Sequence, residues 1–307
     1  MRRLARILLI LVLFPPLLAA VAGWLGAPSF LHPVRRPLSP DLVREADAAF
    51  RHVHGVREDF HVRAPDGIQL RGWKVRPETP SGAWVLLFHG VADNRVGMTP
   101  FAELFLRAGY GVVMMDSRAH GESDGAIATY GWLERHDTQA IVDALVASEH
   151  PARLFALGES MGAGIALQSA GVEPRIQAVV AEAPFSTLRE ASYDYAGLRW
   201  SPLLGKTLFA PFSWTLVARG ERIAGFPANG VSAIQAVEAR PFPVFLICDE
   251  KDEALPCRHA AAIYRAATGP KQFWMVPGAF HTAGISYEPE EFRRRVLEFF
   301  DANSSAR

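Results

Sequence analysis

Cysteine is scarce in this chain of 307 residues: Cys248 and Cys257 are the only two. That excludes a disulfide-dense scaffold and any zinc site built on paired C-x-x-C motifs. No H-E-x-x-H and no phosphate-cradling G-x-x-x-x-G-K-[ST] occurs either, so the sequence points to no metal and no cofactor. An excess of charge is missing as well. The 32 basic residues balance 32 acidic ones, which leaves nothing to attract nucleic acid. Internal repeats and low-complexity tracts are absent.

One whole segment lacks charge. After Arg2, Arg3 and Arg6, residues 7–31 carry no charged side chain, and Ile7 to Trp24 is an apolar run of 18 residues. A membrane-spanning helix needs about 20. Three readings compete: a secretory signal cleaved after Ala20-Val21-Ala22, an uncleaved anchor, or a core helix, which Pro15-Pro16 would interrupt. The anchor is preferred because apolar residues continue through Trp24, Leu25 and Phe30. Arginines at the start place that end in the cytoplasm, so residues 35–307 would form a single catalytic domain facing the periplasm or the cell exterior. Signal cleavage would instead release it as a secreted protein. Arg2-Arg3 lacks the surroundings of a twin-arginine signal. In an exported domain Cys248 and Cys257 are either a disulfide closing their loop or two buried thiols.

What is present centres on Gly158-Glu159-Ser160-Met161-Gly162, set between the apolar run Leu154 to Leu157 and an alanine-rich helical stretch. This is the pattern of a nucleophile elbow, in which a serine is forced into a sharp strand-to-helix turn. The alternative, a glycine-rich helix start with Ser160 as an ordinary N-cap, predicts no supporting residues elsewhere. Three supports are found. Trp84 to Phe88 ends in His89-Gly90-Val91, which would offer the Val91 N–H to an oxyanion alongside the N–H of Met161. Val244 to Cys248 leads into a loop carrying Asp252, the candidate acid. Phe273 to Val276 leads into Pro277-Gly278-Ala279-Phe280-His281, with His281 the candidate base. A serine hydroxyl is a weak nucleophile until an imidazole takes its proton, and a carboxylate fixes that imidazole's tautomer. Asp249, Glu250 and Glu253 flank Asp252, and Glu182 follows another strand-like run.

The order Ser160, Asp252, His281 resembles that of the α/β hydrolase superfamily, and within it the membrane-anchored serine hydrolases described as Bem46-like. The resemblance spans about residues 35–300. It includes Asp66-Gly67-Ile68-Gln69-Leu70-Arg71-Gly72-Trp73, similar to the family's hairpin, and Asp116-Ser117-Arg118-Ala119-His120-Gly121-Glu122-Ser123, similar to its loop after strand four. Where the family usually has His-Gly before the acid loop, this chain has Cys248-Asp249. The resemblance implies an α/β-hydrolase fold, and it implies Asp252 as the acid for its place ahead of Leu255-Pro256. A serine at the elbow, rather than aspartate, disfavours dehalogenase and epoxide-hydrolase chemistry.

Segments near residues 59–63, 70–75, 84–88, 112–115, 154–157, 178–181, 244–248 and 273–276 read as eight strands of a mainly parallel sheet with helices on both faces. The first two are expected to be antiparallel about Pro65-Asp66-Gly67. About residues 185–240 interrupt the alternation as a cap after strand six, carrying Tyr193, Tyr195, Trp200, Phe209, Phe212, Trp214 and Phe226. These aromatics read both as a pocket wall and as packing that fixes the insertion. His89 and His120 are expected beside the site, and His52, His54, His61, His136, His150 and His259 on surfaces or helix faces. The expected activity is hydrolysis of a small-molecule or lipid-like carboxylic ester through an acyl-enzyme, with membrane contact through the N-terminal segment. Alternatives are a thioesterase, a peptidase using Glu190 and Asp194 to hold an ammonium, or a non-catalytic scaffold at the membrane.

Overall fold

The structure, a computed structural model, describes residues 2–197 and 201–304. Trp200 and residues 305–307 lie outside the described residues, as do the side chains at positions 2, 4–11 and 202. The chain begins with α1 (Arg2–Leu31) and α2 (Pro40–His52), followed by strands β1 (Val56–Arg63), β2 (Gln69–Arg76) and β3 (Ala83–Phe88). Helix α3 (Thr99–Arg107), β4 (Gly111–Met115), α4 (Glu134–Glu149), β5 (Arg153–Glu159), α5 (Met161–Val172) and β6 (Ala178–Glu182) then alternate. Four helices intervene before the next strand: α6 (Leu188–Ala196), α7 (Pro202–Lys206), α8 (Ala210–Ala224) and α9 (Ala233–Ala239). The chain continues through β7 (Val244–Asp249), α10 (Arg258–Ala266), β8 (Lys271–Val276), α11 (Gly284–Tyr287) and α12 (Pro289–Ala302).

All eight expected strands form one sheet in the order β1-β2-β4-β3-β5-β6-β7-β8. β1 and β2 pair antiparallel about the 65–67 turn, β2 pairs antiparallel with β4, and every later pair is parallel. Parallel strands are covered on both sides, so they are apolar throughout rather than alternating. β3, Ala83–Phe88, is buried at all six positions. Its residues divide between two cores: Trp84, Leu86 and Phe88 pack with α4, α5, α9 and α10, while Ala83, Val85 and Leu87 pack with α2, α3 and α12. The sheet thus separates two helix layers, and the carboxyl ends of the parallel strands converge at one edge, where loops can carry chemistry.

Two sequence motifs stand revealed as structural ties. Asp116 at the end of β4 accepts hydrogen bonds from the Arg95 backbone N–H (2.8 Å), the Arg95 guanidinium (2.5 Å) and the Glu122 N–H (2.8 Å). Arg118 bridges Asp137 of α4 and Asp66 of the β1–β2 turn. The loop after β4 therefore locks the antiparallel hairpin to the parallel sheet.

Helix α1 runs unbroken through Pro15, Pro16 and Pro28. Its packing explains why it ends in register with the rest of the fold. Ala19, Gly23, Ala27 and Leu31 form a buried stripe at four-residue spacing, and small side chains there let α8 approach closely. A Cβ on Gly23 would lie 2.1 Å from the Phe212 carbonyl oxygen. The Thr215 hydroxyl donates to the Ala20 carbonyl (2.7 Å), the Ala128 N–H donates to the Leu31 carbonyl (2.9 Å), and Phe30 stacks on Tyr130 at 4.6 Å between centroids. The opposite face, including Val12, Leu13, Phe14, Leu17, Leu18, Val21 and Leu25, is exposed. Among the described residues Val12–Leu31 is the one helix long and apolar enough to cross a membrane, which also fits a signal sequence.

Because Gly23 has no room for a side chain, Gly23→Leu is expected to destabilise the full-length protein by about 1–3 kcal/mol through overpacking. Thermal unfolding in detergent micelles checks this, with Ala22→Leu on the exposed face as the control that leaves the midpoint unchanged.

Candidate active site

The elbow is built by close packing of a helix directly onto the strand that precedes it. Ser160 sits between β5 and α5 with φ 52° and ψ −118°, a conformation an L-residue holds only when its surroundings impose it. Those surroundings are specific. A Cβ on Gly158 would lie 2.3 Å from the Gly162 carbonyl oxygen, and one on Gly162 would lie 2.1 Å from that of Phe88. Neither position tolerates a side chain. The Ser160 N–H donates to the Glu182 carbonyl at 2.9 Å, tying the turn to β6.

The three residues singled out from the sequence meet here. His281 Nε2 lies 2.9 Å from Ser160 Oγ, and His281 Nδ1 lies 2.6 Å from Asp252 Oδ2. Asp252 is buried, and its other oxygen accepts from the N–H groups of Ala254 and Leu255, each at 2.8 Å. Its carboxylate is therefore anchored on one side and available to His281 on the other. Val91 and Met161 line the same cavity as Ser160. Met161 is the first residue of α5, where backbone N–H groups have no partner within the helix.

The cavity measures about 210 Å³. Its walls are apolar and come from distant parts of the chain: Phe30 from α1, Tyr130 from the loop before α4, Phe185 from the β6–α6 connection, Leu188 and Tyr195 from α6, Phe212 and Leu216 from α8. Of the aromatics flagged between β6 and β7, Tyr195 and Phe212 line it, Phe226 is buried in the core, and Trp214 is exposed with its indole N–H donated to the Tyr193 hydroxyl. Phe30 and Tyr130 were not anticipated as site residues. Nothing in local sequence links them; their stacking depends on where α1 docks.

The competing carboxylates have other occupations. Asp249 Oδ2 accepts from the Thr282 N–H (2.9 Å) and Glu182 Oε1 from the Gly284 N–H (2.8 Å), so both hold the loop that carries His281. Glu250 accepts from the Gly278 N–H (2.7 Å) in the same loop. Where the resemblance led to an expected glycine, Asp249 thus provides a loop anchor. Cys248 and Cys257 are joined as a disulfide, which closes the Asp252 loop. Burial drives the carboxyls of this region toward the neutral form: Glu159 is raised to about 7, Asp249 to about 6, and Glu182 well above its usual range, with mutual repulsion adding to each.

The histidines divide unevenly. His89 is fully buried, accepts at Nε2 from the Ser117 N–H (3.0 Å) and contacts the Gly90 carbonyl through Nδ1 (2.7 Å), pinning the end of β3. His120 packs against its edge, and burial lowers it to about 4. Of the two places expected for it, His259 takes a helix face, that of α10, rather than a surface. It is completely buried, with Nδ1 2.8 Å from Ser186 Oγ and Nε2 2.7 Å from Asp194 Oδ2. The first turn of α10 faces inward under α6, and an imidazole there has hydrogen-bonding partners on both sides. Asp194 also pairs with Arg258, and Glu190 pairs with Arg258 and Lys206. Among the described residues no group of three or more His, Cys, Asp and Glu side chains is arranged to hold a metal ion.

The sign of one pH effect follows. Asp249 binds its proton more tightly folded than unfolded, so wild-type stability falls as pH rises from about 3.8, its ordinary value, through about 6. Asp249→Asn keeps an acceptor for Thr282 and removes that titration. The melting temperature of the variant minus that of the wild type should therefore increase between pH 4 and pH 7.5, as read by differential scanning calorimetry; a difference that stays flat or falls contradicts the assignment.

Comparison with known proteins agrees with this architecture. The family model described as serine aminopeptidase, S33, matches residues 79–223. The uncharacterized protein YqkD of Bacillus subtilis is 29% identical over 251 residues, covering 79% of this chain and 78% of its own length. The uncharacterized protein YfhR of Escherichia coli K12 is 26% identical, covering 79% and 80% respectively. Among solved structures, the Pyrococcus furiosus esterase Pf2001 superposes with a TM-score of 0.69 at 25% identity, covering 83% of this chain and 94% of its own. The solved neighbour and the sheet order agree that this chain has the α/β-hydrolase fold.

Proposed function

We propose that this protein is a serine hydrolase that cleaves carboxylic esters through an acyl-enzyme. The observation that carries the reading is the continuous hydrogen-bonded line from Ser160 Oγ through His281 to Asp252, opening on an apolar cavity. In the first half-reaction His281 Nε2 takes the Ser160 proton as Oγ bonds to the ester carbonyl carbon. The carbonyl oxygen becomes an oxyanion received by the N–H groups of Val91 and Met161. As the tetrahedral centre collapses, the bond to the alkoxy oxygen breaks and His281 returns its proton to the leaving alcohol. Water, deprotonated by the same imidazole, then attacks the acyl carbon and releases Ser160. Asp252 holds one imidazole tautomer and stabilises the imidazolium between the two transfers.

The lining favours esters over amino-terminal peptide substrates. A peptidase that grips a substrate ammonium needs an unengaged carboxylate at the site, and the two candidates, Glu190 and Asp194, are paired with Lys206, Arg258 and His259. Thioesters would be cut by the same machinery. In this reading residues 1–34 include a membrane anchor of the Bem46-like type, and the helices between β6 and β7 form the cap, about residues 185–240. The active site then faces the periplasm or the cell exterior.

A fluorophosphonate probe tests the central claim. Wild-type protein is expected to be labelled, and Ser160→Ala to lose labelling completely. Hydrolysis of p-nitrophenyl butyrate should fall by about a thousandfold or more in Ser160→Ala and in His281→Ala, with circular dichroism unchanged. Absence of labelling in folded wild type overturns the hydrolase reading and leaves the scaffold.

A further inference from the structure

The helix that could cross a membrane is also a wall of the cavity that holds Ser160. Phe30, in the last turn of α1, lines that cavity together with Phe212 and Leu216 of α8. These two helices are fastened together along a seam. Ala20 lies against Thr215, Gly23 against the Phe212 carbonyl, the Trp24 carbonyl accepts from Arg219, and Leu31 lies beside Gly220. From Ala20 and Gly23 beside Phe212 and Thr215 to Leu31 beside Gly220, the two helices run in the same direction. The beginning of α8 therefore lies beside Ala20–Gly23, and its end lies beyond Trp24.

That register fixes a depth. An apolar run from Ile7 to Trp24 is about 27 Å long at 1.5 Å per residue, close to the roughly 30 Å of a bilayer's hydrocarbon. Trp24 ends it, and the guanidinium groups of Arg219 and Arg222 lie over its ring at 5.0 and 5.8 Å. Aromatic and cationic groups gather at that level where a helix leaves the hydrocarbon. If Trp24 marks the boundary, the first turns of α8, which lie beside Ala20–Gly23, are on its membrane side, and α7 precedes them in the chain. Leu203 and Leu204 of α7, Leu208 between the two helices and Trp214 of α8 suit that place, being exposed by 70%, 40%, 42% and 54%.

We propose that α1, α7 and α8 together dip into the bilayer surface and that the enzyme takes acyl esters resident in the membrane, their acyl chains entering the cavity beside the α1–α8 seam. The proposal rests on the reading of α1 as an anchor and of Ser160 as the nucleophile. It assigns α7 and α8 a lipid bilayer as their partner, and makes Phe30 a residue that limits the acyl chain.

The experiment uses the full chain reconstituted in phosphatidylcholine vesicles, with two probes: p-nitrophenyl acetate in solution and p-nitrophenyl laurate dissolved in the vesicles. Leu203→Glu combined with Leu208→Glu changes exposed positions outside the cavity. Laurate turnover should fall about tenfold or more in this variant, while acetate turnover and fluorophosphonate labelling stay within about twofold. Vesicles of brominated phosphatidylcholine add a direct measure of depth: they should quench a component of tryptophan fluorescence that is lost in Trp214→Phe. Equal loss on both esters, no loss on either, or quenching that Trp214→Phe leaves intact overturns the proposal. A wild type that fails to label sinks the hydrolase reading instead, so the two failures are told apart.

Discussion

The structure depends on a backbone held where it would not otherwise stay. Ser160 occupies φ 52°, ψ −118° because β5 must turn into α5 without a spacer. Such a conformation costs on the order of 1–3 kcal/mol and persists only if its neighbours over-determine it. They do: Gly158 and Gly162 admit backbone where a methyl group would collide, β3 lies against the first turn of α5, and β6 accepts the Ser160 N–H. The turn lifts a hydroxyl out of the sheet and starts a helix directly behind it, so the same strain that exposes Oγ also brings helical N–H groups to its side. Everything else in the proposed chemistry is an arrangement around that fixed point.

The second constraint is electrostatic. Strand ends converge at this edge of the sheet, and they bring Glu159, Glu182, Asp249 and Asp252 with them. Four carboxylates in one buried region cannot all be ionised cheaply. Their environments separate them. Asp252 has two backbone donors on one oxygen and an imidazole on the other. Asp249 and Glu182 each receive a backbone donor on one oxygen, while Asp249 Oδ1 and Glu182 Oε2 are buried without a hydrogen-bond partner. The difference in hydrogen bonding explains why burial raises Glu182 and Asp249 so strongly, and why proximity alone does not select the partner of His281. Those two instead grip the backbone at Thr282 and Gly284, keeping the ring within reach of Ser160.

Much of this was legible in the sequence, for a definable reason. The inner parallel strands, buried on both faces, are continuous apolar runs, and loops after the strands carry short motifs, so these strands and the positions of Ser160, Asp252 and His281 could be read without any long-range information; the outer strands β1, β2 and β8 carry polar residues. Asp66 and Arg118 were legible as motifs, but not as an ion pair, because they are 52 residues apart and meet only when β2 pairs with β4. His259 was read as a surface or helix-face residue; it lies on the face of α10 that is buried with Ala260 and Ile263, and its partners Ser186 and Asp194 are distant in sequence. Phe30 was invisible as a pocket residue: in sequence it ends an apolar run, and its role depends on α1 crossing α8 at Gly23.

The ion pairs of the insertion carry the argument one step further. Arg258 and His259, two residues in the first turn of α10, hold Asp194 and Glu190 of α6, and Lys206 of α7 completes the set. Cys257 immediately precedes them and is bonded to Cys248 at the end of β7. The insertion is thereby fastened to the same segment that presents Asp252, five residues upstream of Cys257. Asp194 is buried, so its pairing with Arg258 is a weak source of stability but a strong source of geometry: removing Arg258 would leave a buried carboxylate short of its compensating charge. On the far side, α8 of the insertion is fastened to α1 by close packing at Gly23 and by hydrogen bonds from Thr215 and Arg219 to carbonyls of α1. The cavity therefore lies between a polar clamp, which sets its distance from the carboxylate of Asp252, and an apolar seam whose packing face is continuous with the N-terminal helix. The Phe30 and Phe212 wall belongs to the seam, whereas Ser160, His281 and Asp252 are held by the turns after β5, β7 and β8, which separates the part of the site that accommodates a substrate from the part that would react with it.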